Sequence, residues 1–207
     1  MLRRDAVCDH AAMTSSIPPV VAAGRMARGE QPVLGLSDGE ELRPWRAEDA
    51  GVLAASCGDP AIRQWNRTPA LTIREAEERI DNWRRRWWAE ERAVWAIARR
   101  GGEVLGLIGV GDIDLGRGGG ELFYWLLPAG QGGGTMTRAV LRVARWALDE
   151  VGLHRLVITH SVANPASCRV AEATGFRLEG TMRGALLHAD GWHDEHLHAR
   201  LQGDPWP

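Results

Sequence analysis

The segment Ala129–Val140, AGQGGGTMTRAV, packs four glycines into five positions and then runs directly into a helical pattern. No other feature restricts the fold of the chain as tightly. Upstream, ELFYWLL is dense in β-formers. Downstream, Met136, Val140, Val143, Ala147 and Val151 recur at steps of three and four until Gly152 stops the helix. A glycine-rich link between a strand and a helix can aim several free N–H groups at one point, where the helix macrodipole adds partial positive charge. Glycine also permits positive φ and removes the Cβ atoms that would hold an anion away. The alternative use of the same residues is a flexible surface turn.

Two other phosphate loops are excluded. Every basic side chain is arginine, so neither a Walker lysine nor a Schiff-base lysine exists. A dinucleotide fingerprint would need the first βα unit of a Rossmann domain and an acidic residue about 20 positions on.

A chain of 207 residues suits one domain, and a net charge of −2 gives no bulk electrostatic pull toward nucleic acid or a membrane. Cys8, Cys57 and Cys168 stand far apart without a C-x-x-C pair, which implies a reducing compartment and a cytoplasmic location. No apolar run approaches the ~20 residues of a membrane span. The N-terminal stretch carries arginines but no unbroken apolar core, and so makes a poor signal peptide.

Residues 1–38 carry Pro, Gly, Ser and Ala without a sustained period and are expected to form a disordered tail before a single domain at 39–204. A strand, ELRPW, precedes an alanine-rich helix from Ala47 to Cys57. Thr72 and Glu75 form a capping box, and Ile73, Ala76, Ile80, Trp83 and Trp87 make one apolar stripe on the helix that follows. Strands at Ala93–Ala98 and Val104–Gly111 are joined by RRGGE, a turn of hairpin length. ELFYWLL is the fourth strand and HRLVITHS the fifth. Asn164-Pro165 opens the next helix, an N-cap side chain followed by a first-turn proline. FRLEGT and GWHDEHLHARL complete the set, with Asp190-Gly191 between them. The fold class is mixed α/β: a mostly antiparallel sheet of about seven strands flanked by about four helices, with the late βαβ unit parallel.

From Glu41 to Leu201 the chain resembles the GNAT N-acetyltransferase family, particularly the branch that acetylates ribosomal-protein N-termini. The resemblance rests on LRPW at Leu42, ELFYWLLP before the loop, GLHRL at Gly152, ANPASCRVAEATGFRLEGTMRGAL from Ala163, and the closing GWHDEHLHARL. The family loop is Arg/Gln-x-x-Gly-x-Gly/Ala; Gln131 and Gly134 match it and Met136 departs from it. The resemblance implies acetyl-CoA as co-substrate and an amine acceptor, with no metal. The fourth and fifth strands would splay around the pantetheine arm, along Trp125, Leu126 and Leu127, with a backbone N–H near Leu126 or Leu127 polarising the thioester carbonyl. Gln131, Gly132, Gly133, Gly134, Thr135, Met136 and Thr137 would surround the pyrophosphate. Asn164 corresponds to a cofactor-contacting asparagine, and equally serves as a plain N-cap.

The tyrosine that many relatives use as the acid falls at Val170 here, and Ser167 matches a serine that would assist the departing thiolate; as a first-turn helix serine it needs no such role. Glu121 is the candidate base, acting through water, with Asp112 as fallback. An acid associated with the ribosomal branch falls at Leu186. In the family the first helices border the acceptor pocket, so Trp65 and Trp88 are candidates for shaping it, with core packing as their other reading.

Strand alternation places Asp194, His196 and His198 on one face, a set that could hold zinc; relatives carry a terminal strand without metal there, and none is expected. RRRWW (Arg84–Trp88) mixes basic and aromatic residues as nucleic-acid-binding surfaces do, though it lies on an amphipathic helix. Two rival readings stay open: a non-catalytic CoA-binding module and a nucleic-acid-associated protein. Oligomeric state, a homodimer included, is not legible.

Overall fold

A computed structural model of the chain describes residues 17–207. Eight strands form one sheet in the order β1-β2-β3-β4-β5-β6-β8-β7. They are β1 (Leu34–Gly35), β2 (Glu40–Pro44), β3 (Ala93–Arg99), β4 (Val104–Asp114), β5 (Gly119–Leu126), β6 (Arg155–Ser161), β7 (Arg177–His188) and β8 (Gly191–Leu201). Five α-helices flank them: α1 (Ala50–Gly58), α2 (Pro60–Asn66), α3 (Ile73–Trp88), α4 (Thr135–Arg145) and α5 (Pro165–Ala173). All strand pairs are antiparallel except β5–β6. The class expected from sequence is therefore correct, with one short strand and one helix added. The fourth and fifth strands of the sequence reading are β5 and β6.

Strand alternation gives the sheet two apolar faces. Trp95, Ile97, Ile108 and Leu122 join the core beneath α4, and Val94, Ala96, Leu107 and Trp125 join a second core beneath α1–α3. The helix stripe Met136, Val140, Val143, Ala147, Val151 is buried throughout. α4 runs on through a wider π-type turn, Trp146–Val151, and stops at Gly152 with φ +96°. That turn seats Trp146 edge-on against Trp95, their ring centres 4.9 Å apart. The Thr72–Glu75 capping box is present, and Ala76, Ile80 and Trp87 are buried on α3, whereas Ile73 in the first turn faces solvent.

The expected tail requires correction for residues 17–38. Val21, Met26 and Leu34 are buried in the core, and Leu34–Gly35 pairs with β2. The Glu90 carboxylate accepts the N–H groups of Gly24, Met26 and Ala27, while Trp87 and Trp95 donate their indole N–H to the carbonyls of Gly29 and Pro32. Backbone acceptors and donors thus replace the sustained period that the sequence lacked. Residues 1–16 of the expected tail lie outside the described residues.

The helix α2 was missed because its sequence, PAIRQWN, is too short to show a period. It is instead set by its cap: Asp59 accepts from the amides of Ala61 and Ile62, and Pro60 takes the first position. Arg43 of β2 and Asp49 form a buried ion pair at 2.7 Å.

Candidate active site

β5 and β6 pair only at Gly119↔Arg155, Gly120↔Leu156 and Glu121↔Val157. Beyond Glu121 the two strands separate, and a cavity of about 890 Å³ opens between them and runs down to the glycine loop. The parting leaves the later backbone of β5 with a strand partner on its β4 side alone, apart from Leu126 O, which accepts from Gln131 Nε2 (3.3 Å). A guest lying in the gap can therefore complete the ladder.

At the foot of the gap, Gly132 and Gly134 adopt φ +85° and +73°, conformations that favour glycine. Among the described residues, the amides of Gly132 through Thr137 donate no hydrogen bond within the chain; Arg138 is the first to close onto the helix, at Gly134 O (3.1 Å). A cluster of free N–H groups at a helix N-terminus suits a pyrophosphate. The loop is braced by Arg138, which donates to Gly133 O (2.6 Å) and pairs with Glu40 (2.7 Å), and by Thr135, whose hydroxyl also donates to Glu40 (2.9 Å). Met136 is 6% exposed and joins the core beneath α4. Its side chain is thus the first member of the helix stripe, with only its edge at the cavity.

Trp65, Glu121, Trp125, Leu126, Gln131, Gly132, Gly134, Thr135, Met136, Thr137, Asn164 and Ser167 all line this cavity. Leu127, Gly133 and Trp88 do not. Leu127 instead donates its N–H to Leu105 O (2.8 Å), so this amide is committed to the fold. Trp88 is exposed at the end of α3, at the opposite end of that helix from the capping box. Asn164 caps α5 by accepting from Ser167 N–H (3.2 Å) and also lines the cavity.

The catalytic candidates fall on both faces of β5. Glu121, Phe123 and Trp125 point toward α1–α3, where they also line a second cavity of about 620 Å³ with Asn82, Arg79, Arg92 and Asp112. Glu121 accepts a short hydrogen bond from the Thr159 hydroxyl of β6. On the other face, the Tyr124 hydroxyl lies 2.8 Å from Ser167 Oγ on α5. Burial pushes the Tyr124 phenol up to about 12, and the Ser167 hydrogen bond only partly offsets this. The phenol therefore stays protonated across the physiological range.

Sequence reasoning missed two site residues. Tyr124 is the only tyrosine of the chain, and strand alternation already places it opposite Glu121 and Trp125. Its partner on α5 is 43 positions away, and nothing local signals the pairing. Glu195 of β8 is buried and lines the same cavity. Burial first, and then the Glu121 carboxylate, raise its carboxyl above the usual range. In the sequence Glu195 stands among charged and histidine neighbours as one acid of several. Trp65 packs against His188 and His193, ring centres 6.0 and 6.4 Å away, at the cavity wall.

A parallel strand pair that parts over an amide-rich helix start, with acid and hydroxyl groups along the gap, is the architecture of an acyltransferase. Residues 41–177 match the Acetyltransferase (GNAT) domain, and the chain belongs to the GNAT acetyltransferase family. It is 30% identical to the putative ribosomal N-acetyltransferase YdaF of Bacillus subtilis (strain 168) over 141 residues, 68% of this chain and 75% of that protein. It is 33% identical to the ribosomal-protein-serine acetyltransferase of Escherichia coli (strain K12) over 99 residues, 48% of this chain and 55% of the relative. Among solved structures, the ribosomal L7/L12 alpha-N-protein acetyltransferase RimL in complex with coenzyme A superposes with a TM-score of 0.77 at 22% identity, covering 82% of this chain and 98% of its own. Spermidine N-acetyltransferase from Vibrio cholerae, in complex with CoA and spermine, gives 0.73 at 18%, covering 80% and 97%. These structural likenesses carry the fold. Among the described residues no helix is long and apolar enough to cross a membrane.

Proposed function

We propose that the protein transfers an acetyl group from acetyl-CoA to a primary amine, a protein N-terminus or a small-molecule amine, by direct attack within a ternary complex. The carrying observation is the position of Glu121, which lines both cavities at once. The glycine-loop cavity suits the thioester substrate, and the polar cavity under α1–α3 suits the amine.

In this reading the free amides of Gly132–Thr137 hold the pyrophosphate, and the unpaired edge of β5 at Trp125 and Leu126 aligns the pantetheine. The Leu126 N–H remains as the amide for polarising the thioester carbonyl, since Leu127 N–H is already bonded. Glu121 takes a proton from the amine, directly or through water, as nitrogen attacks the carbonyl carbon. The carbon–sulfur bond then breaks; the Ser167 hydroxyl, held by Tyr124, donates a hydrogen bond to the departing thiolate, which takes up the proton that the amine has released. Trp65 shapes the acceptor side; Trp88 is withdrawn from that role. Free thiols at Cys57 and Cys168 are compatible with the cytoplasmic location that this reading keeps.

Turnover of acetyl-CoA against a panel of peptides and small amines tests the reading. Tight coenzyme A binding without turnover would favour the binding-module alternative. Glu121→Gln then tests the base: kcat/KM should fall by about 10²-fold or more, as expected when a positioned base is lost, and unchanged turnover would remove Glu121 from the mechanism.

A further inference from the structure

We propose that His160, Cys168, His196 and His198 form a binding site for a zinc-class divalent cation that fastens α5 to the β6–β8 ladder. This goes beyond acetyl transfer and does not depend on it. One donor atom from each of the four residues lies within 4.8 Å of each of the others. The set comes from three elements. His196 and His198 share one face of β8, because strand side chains alternate. His160 stands opposite His196 in the β6–β8 register, and Cys168 reaches in from α5 above them. The sequence reading had grouped Asp194 with His196 and His198; Asp194 instead turns away and accepts the N–H of Gly184 (2.7 Å).

The tautomers are already set for coordination. His160 Nδ1 contacts Ser161 O at 2.9 Å and His198 Nδ1 contacts Phe176 O at 3.2 Å. A carbonyl oxygen can only accept, so both Nδ1 atoms carry the hydrogen and both Nε2 atoms present a lone pair. That is the outer-shell arrangement which orients metal-bound histidines. Both Nε2 atoms are buried with no hydrogen-bond partner, in residues exposed by only 6% and 0%. Buried polar atoms without partners are rare and call for an explanation, and here two of them belong to residues of one cluster. The three imidazole rings lie with centres 5.1 to 5.8 Å apart, and Cys168 Sγ is 4.0 Å from His196 Nδ1.

Three imidazoles and a thiolate are a borderline-soft donor set suited to zinc, in a tetrahedral arrangement. Tetrahedral zinc would bring donor atoms to about 3.3–3.6 Å from one another, so the widest pair must close by roughly 1 Å. His196 and Cys168 are only half-buried and can make that adjustment by rotamer change. Cys168 enters as thiolate, so one proton leaves for each ion bound. The cavity wall at His160 provides an entry path.

The test uses the untagged full chain, stripped of metal with a chelator and free of coenzyme A, titrated with Co²⁺ and then with Zn²⁺. One ion per chain is expected, with intense visible bands of tetrahedral cobalt and a near-ultraviolet thiolate-to-cobalt band, both displaced by zinc. Cys168→Ala should abolish the thiolate band and raise Kd by about 10-fold or more, and His196→Gln should raise Kd similarly while keeping the band. Both residues are half-buried, and circular dichroism verifies that the variants fold. Absence of stoichiometric binding, a weak octahedral spectrum, or a thiolate band that survives in folded Cys168→Ala would each overturn the site.

Discussion

The hydroxyl of Tyr124 on β5 lies 2.8 Å from that of Ser167 on α5, across the gap where β5 and β6 part. The chain thus brings a tyrosine to the cleft from a strand, whereas the helix position used by many relatives holds Val170. If this pair stabilises the departing thiolate, Ser167→Ala should lower kcat by about 10²-fold, and Tyr124→Phe, which acts through the serine, by about 10-fold. KM for acetyl-CoA should change little in either. Wild-type kcat in both variants would remove the pair from the reaction.

Glu195 links pH to stability. Its folded carboxyl is raised above the ordinary value by burial and by Glu121, so the native state binds a proton more tightly than the unfolded chain does. Stability is therefore full below the unfolded value of about 4.3 and declines as pH rises from there through the folded value. Glu195→Gln removes that decline. Urea unfolding should show the variant more stable than wild type at pH 7, with the gain vanishing near pH 4. A gain of equal size at both values would contradict the assignment.

Glu90 gives the opposite slope. Burial pulls its carboxyl upward, but the amides of Gly24, Ala27 and Met26 together outweigh it and hold the group below the ordinary range. The stability it contributes is present above about pH 4.3 and is lost as pH falls through the folded value. Glu90→Ala should cost about 2 kcal/mol at pH 7, the scale of hydrogen bonds to a charged acceptor. The same variant should speed proteolysis within residues 20–33, whose backbone Glu90 anchors. Unchanged protease sensitivity there would separate Glu90 from that segment.

Gly134 caps α4 at φ +73°, and a Cβ built there would come 3.4 Å from Arg138 Nη1. Gly134→Ala should cost about 1 kcal/mol of stability through left-handed strain. It should also weaken coenzyme A binding, since the strain falls within the loop whose free amides run from Gly132 to Thr137. Thermal unfolding and calorimetric titration read the two effects apart. A lowered Tm with an unchanged Kd would confine Gly134 to the fold.

Much of the molecule was legible in the chain. The α4 stripe, the Thr72–Glu75 box, the Asn164-Pro165 start and the glycine turns are local patterns, in which period and capping chemistry act within a few residues. Most of the residues expected on the cofactor side line one cavity, because the glycine loop is contiguous. The segment at residues 17–38 and helix α2 were not legible, since each is held by distant or single-residue partners and shows no period of its own. Trp88 lines neither cavity, whereas Arg79, Asn82 and Trp83 of the same helix line the second. Helical spacing tells which residues share a face, and it does not tell which of them reach a cavity.

The sequence by itself determined the long periodic elements, the parallel βαβ unit and the loop that can receive an anion, because each depends on neighbours along the chain. Only the tertiary structure decided which side chains meet. Tyr124 with Ser167, Glu121 with Glu195, and His160 with Cys168, His196 and His198 are pairings across strands and helices far apart in sequence. Their chemistry arises from burial and proximity, and these quantities exist only after the sheet has formed and β5 and β6 have separated.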